Sequence, residues 1–97
     1  MYPKILEIAD TKIILRQIEH APDGVIYLHL RGFSFHSSLA VDHVMVSQHD
    51  GSTLILVHLV PVRKGKDGNF DLTVRLLNEN NTVFFGNNHQ VIWPIHT

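Results

Sequence analysis

Eight histidines in 97 residues are the one chemically unusual feature of this sequence: His20, His29, His36, His43, His49, His58, His89 and His96. Imidazole is the commonest protein ligand for transition metals, and the side chain whose charge changes nearest neutral pH. None of the eight are spaced as H-x-H or H-x-x-x-H, so no single strand or helical turn offers two ligands. Pairing across strands is the remaining route. Asp50-Gly51 separates two apolar, β-rich runs, Val44-Met45-Val46 and Leu54-Ile55-Leu56-Val57. Asp-Gly between such runs predicts a two-residue type I′ hairpin, because both central residues need φ > 0. His49 then faces Ser52, Ser47 faces Leu54, Met45 faces Leu56, and His43 faces His58. A slip of one residue would exchange the two faces.

Two imidazoles placed opposite one another, with Cα atoms about 5.5 Å apart, can reach one ion at a Zn–N distance of about 2.1 Å. His29, in the middle of its own strand, is the third candidate ligand; no fourth is visible. The competing reading is structural. His43 and His58 share a face with Met45, Leu54 and Leu56, where neutral imidazoles serve as packing, and the other histidines are scattered without pattern. If both rings are buried side by side, protonating them costs desolvation and like-charge repulsion. Stability should then fall as pH drops below about 6.5.

Catalytic residues and cofactors are not expected. The chain has no cysteine, which excludes disulfides, thiolate metal sites and a thiol nucleophile. No G-x-S-x-G, H-E-x-x-H, Gly-rich phosphate loop or paired-carboxylate motif occurs. Ser37 and Ser38 lie near Asp42-His43 in sequence, but a nucleophile needs a base oriented in space. Gly65-Lys66-Asp67-Gly68 fits a hairpin loop, since no helical pattern follows it.

The formal net charge is −1. That gives no basic surface for nucleic acid, and little electrostatic protection against self-association. No stretch is long and apolar enough to span a bilayer, so no membrane insertion is expected. No signal-peptide pattern is visible at the N-terminus, which favours the cytoplasm slightly.

The histidines must be positioned by strands. From Leu54 to Val62 both faces are mostly apolar, so this strand is either central or covers a second surface such as a partner chain. Regular pairing should weaken at Pro61. Arg63 to Asn69 is a polar loop. Phe70, Leu72, Val74 and Leu76 then alternate with Asp71, Thr73 and Arg75, as in a strand with one wet face. Val25 to Arg31 alternates likewise, with Ile26, Leu28 and Leu30 inward and Tyr27, His29 and Arg31 outward. Gly32 predicts a bulge or bend that re-aims Phe33 and Phe35. Lys4–Ile8 and Lys12–Ile18 read as one strand broken at Ala9-Asp10-Thr11, with a helix as the alternative. Ala21-Pro22-Asp23-Gly24 is a turn. Leu39 to Asp42 is a crossing segment or one helical turn capped by Ser38. Thr82–Phe85 and Gln90–Trp93 are short strands about a Gly86-Asn87-Asn88 turn, and Trp93 beside Pro94 closes the core. Asn80-Asn81-Thr82 matches the glycosylation sequon.

These elements make one domain, 1–97. It is all-β: an antiparallel sandwich of about seven strands, immunoglobulin-like or fibronectin-III-like in layout only, since the Cys…Trp…Cys pattern is absent. Layout alone carries no function. The expected role is a non-catalytic module for binding an unidentified protein partner or for self-association as a homo-oligomer, with Tyr27 an outward aromatic suited to anchoring. A histidine-based transition-metal-binding domain is the first alternative, and a carbohydrate- or ligand-binding sandwich the second.

Overall fold

The computed structural model describes residues 4–36, 38–62, 65–76 and 81–93. Eight strands follow one another there: β1 (Lys4–Ile5), β2 (Thr11–His20), β3 (Ile26–Ser34), β4 (Leu39–His49), β5 (Ser52–Pro61), β6 (Asn69–Leu76), β7 (Thr82–Phe85) and β8 (Gln90–Trp93). The Asp-Gly step makes the turn expected of it, with φ of 47° at Asp50 and 81° at Gly51. The β4–β5 register follows: His49 faces Ser52, Met45 faces Leu56 and His43 faces His58.

Strands β2, β3 and β6 form an antiparallel sheet in that order. The other five form a second sheet centred on β5. β4 runs along one edge of β5. β7 and β1 lie end to end on its other edge, against Ser52–Ile55 and His58–Leu59 respectively, and β8 pairs outside β7. The expectation of an all-antiparallel fold of about seven strands is therefore corrected in one detail. β5 and β7 are parallel. The chain leaves β5, crosses to the other sheet as β6, and comes back running in its original direction; a parallel pair needs such a crossover.

The alternation read in Ile26–Leu30 and Phe70–Leu76 is what lets the sheets stack. Leu28, Leu30, Phe70 and Val74 meet Ile55, Val57, Val83 and Phe85 in one buried cluster, with the Phe70 and Phe85 ring centroids 5.9 Å apart. Trp93 packs against this cluster, as expected of it. One polar pair is buried in the core. Thr53 Oγ1 donates to Asn81 Oδ1 at 3.1 Å, while Asn81 Nδ2 has no hydrogen-bond partner among the described residues.

Three local expectations change. The broken first strand is two strands in different sheets, and the break is a 3-10 turn at Ile8–Asp10 where the chain changes sheet. Leu39–Asp42 is the start of β4 rather than a helical turn. Gly32 sits in an unbroken β3, opposite Ile13 and Phe70; the bulge is in β2, between Ile13 and Leu15. A Cβ on Gly32 would lie 2.5 Å from the Lys12 carbonyl oxygen and 2.9 Å from Phe70 Cζ. The glycine is there to let a neighbouring backbone and an aromatic ring approach. Positions 63, 64, 77–80 and 94 lie outside the described residues, and with them Asn80 of the sequon. Among the described residues, no helix is long and apolar enough to cross a membrane.

A candidate interaction surface on the five-stranded sheet

The Asp50-Gly51 turn fixes which side chains meet on the outer face of β4 and β5. His43 and His58 do meet. Their rings stack with centroids 4.3 Å apart and planes 12° from parallel. Rings stacked this way send their nitrogen lone pairs out side by side, not toward a common point. His58 Nε2 is buried and has no hydrogen-bond partner among the described residues.

A bulge finishes the arrangement. The register shifts between Val41 and His43, which leaves Asp42 as an extra residue beside His43. His43 Nδ1 donates to Asp42 Oδ2 at 2.8 Å, and Lys66 Nζ donates to Asp42 Oδ1 at 3.1 Å. The His43 hydrogen bond, and after it that from Lys66, holds the Asp42 carboxyl below the usual aspartate range. The pair is adjacent, then, but not buried as a unit: the His43 side chain is 53% exposed. The premise behind the expected loss of stability below pH 6.5, burial of both rings, is not met.

His29 does not join them. It stands on the outer face of the other sheet, where Nε2 donates to Glu19 Oε1 at 2.6 Å and Nδ1 lies 3.1 Å from Thr73 Oγ1. Alternation correctly set this imidazole facing outward, but alternation carries no information about which sheet a strand enters. The structure thus brings together two of the three candidate ligands. Among the described residues, no group of three or more His, Asp or Glu side chains is close enough to hold a metal ion.

What surrounds the histidine pair is apolar. Ile5, Met45, Leu54, Leu56, Phe84 and Val91 lie on the same outer face by register. Met45 is 49% and Val91 43% exposed. The only charged side chain that the described strands set beside this face is Asp42, at the bulge. Toward the hairpin turn the face dips into a groove of about 250 Å³ lined by Ser47, His49, Ser52, Leu54, Phe84 and His89. Ser52 Oγ donates to the His49 carbonyl at 2.8 Å, so its proton is aimed at backbone and not at an imidazole.

One edge of this sheet is half covered. The loop after β5 shields the start of β4: Val41 N donates to Asp67 O at 2.7 Å, and Lys66 holds Asp42. Among the described residues, β4 from His43 onward pairs with β5 alone. His43 and all five residues of Met45–His49 are exposed, with only Val44 partly buried, and the stretch carries no formal charge. Sequence reasoning missed Asp42 and Lys66. The available signal was an aspartate interrupting an apolar strand, a common mark of a bulge. Compared with protein-family models, with curated proteins and with solved structures, the chain matches none of them.

Proposed function

We propose that this chain is a non-catalytic protein-interaction module that associates with a second copy of itself through its five-stranded sheet. The observation that carries this reading is the two-sided β5. Its inner face is covered by β2, β3 and β6. Its outer face presents Leu54 and Leu56, together with Met45, Phe84 and Val91, and the described chain leaves that side open. Apolar side chains gathered on one open face mark interaction surfaces more often than singly scattered ones do.

A second copy suits the surface better than a charged partner does. Two such surfaces meet without like charges, whereas an acidic or basic partner finds almost nothing to pair with. The five-plus-three division of strands is compatible with an immunoglobulin- or fibronectin-III-like layout, from which no activity is taken. A second reading, a histidine-based transition-metal domain, is favoured by one observation, the direct opposition of His43 and His58.

Sedimentation from low to high micromolar concentration tests the main reading. The mass should rise to that of a dimer. Met45→Glu, which sets a charge on β4 at an exposed position where the outer face meets the strand edge, should return it to monomer with unchanged far-UV circular dichroism. A wild-type monomer throughout the range would overturn the proposal.

A further inference from the structure

Self-association, on the reading just given, has two routes on this surface: face against face, or edge against edge. The backbone of β4 favours the second. On the far side of β5, Ile55 O accepts from Gly86 N at 3.0 Å and Val57 O from Leu6 N at 2.9 Å. The odd-numbered residues of β5 therefore bond away from β4, and Ser52, Leu54, Leu56 and His58 bond toward it. Their partners in β4 are His49, Ser47, Met45 and His43. Antiparallel pairing alternates bonded and free residues, so the N–H and C=O groups of Val44, Val46 and Gln48 point off an edge that no described strand covers.

We propose that two copies join along this edge, antiparallel, about a two-fold axis through Val46. In that register Val46 pairs with the partner's Val46, and Val44 with the partner's Gln48. All three donors and all three acceptors of each copy are then satisfied. A shift by two residues either way loses this match: it sets Gln48 against the Asp42 bulge or Val44 against the hairpin turn. An isologous contact requires this self-complementarity, residue i meeting j and j meeting i.

Among the described residues, the strand is also unprotected in the way such pairing needs. Natural edges are blunted by lysine, proline, bulges or covering loops. Here the bulge and the loop lie before His43, and Val44–His49 has neither lysine nor proline. On the outer face, the same register sets the partner's Ser47 beside Met45 and the partner's His49 beside His43. The stacked pair becomes a row of three imidazoles across three strands, formed twice in the dimer.

The chain's lack of cysteine makes the register directly testable. The proposal rests on the self-association reading, and the test separates the two. Val46→Cys places two thiols on the two-fold axis, at a Cα separation of about 5.5 Å, within disulfide range. Val44→Cys places its two thiols four residues apart along the strands, about 13 Å, beyond that range. Under mild oxidation Val46→Cys should become covalent dimer nearly completely, and Val44→Cys should stay uncrosslinked. Leu56→Glu, on the outer face away from the edge, should still sediment as a dimer. A wild-type dimer in which Val46→Cys fails to crosslink, or crosslinks no faster than Val44→Cys, overturns the edge pairing and leaves self-association standing. So does loss of the dimer in Leu56→Glu with its fold intact. A wild-type monomer overturns both.

Discussion

At position 32 the side chain that matters is the absent one. A methyl group there would be forced against the Lys12 carbonyl, and backbone cannot move aside as a flexible side chain can. Gly32→Ala should cost about 3 kcal/mol, the upper range for overpacking a filled site, read as a drop in the urea midpoint. A loss below about 0.5 kcal/mol, the level of an ordinary surface change, would show that the close approach is not what fixes the residue. Asp42 makes a different kind of prediction. Its folded-state pKa is lowered, by hydrogen bonds from His43 first and Lys66 second. A lowered carboxylate adds stability above its unfolded pKa, about 3.9, and loses it as pH falls through the folded value. Wild type and Asp42→Asn should therefore differ in urea midpoint at neutral pH and converge below about pH 4, near that unfolded value. A gap that stays constant down to acid would mean that Asp42 carries no such linkage.

Among the elements, the β4–β5 hairpin was the most legible, because turn chemistry fixes parity and parity fixes every cross-strand pair up to the bulge. Gly51 contributes by its φ of 81°, with open space around its Cβ position. Gly51→Ala should thus cost only conformational strain, about 1 kcal/mol, and leave the His43–His58 stack in place; ring contacts between the two in an NMR spectrum check the second half. The alternation in β3 and β6 was legible for the same reason, since a two-residue period needs only local sequence. Bulges were not. Asp42 and Ile14 each add one residue to a strand without breaking its composition, and the cost is paid in hydrogen bonds that sequence does not display. Gly32 drew the bend to the wrong strand, because a glycine required by close approach looks the same as one required by a kink.

For the whole molecule, all-β architecture in two sheets was legible and the assignment of strands to sheets was not. Nothing in Ile26–Leu30 or in His43–His58 says that they belong to opposite layers, and so His29 was grouped with a pair it cannot reach. The parallel β5–β7 pairing was hidden for the same reason: it arises from the excursion of β6 to the other sheet. That pairing and β1–β5 tie together residues far apart in the chain, Ser52 with Thr82 and Lys4 with Leu59. Closing such long loops precedes any reward from contact, which slows folding to milliseconds or longer in all-β domains of this size. The β4–β5 hairpin needs no such wait and forms within about 10 μs. During refolding the hairpin, marginally stable on its own, therefore forms and melts many times with β4 open before the long loops close, and crowded chains have that interval in which to meet through it.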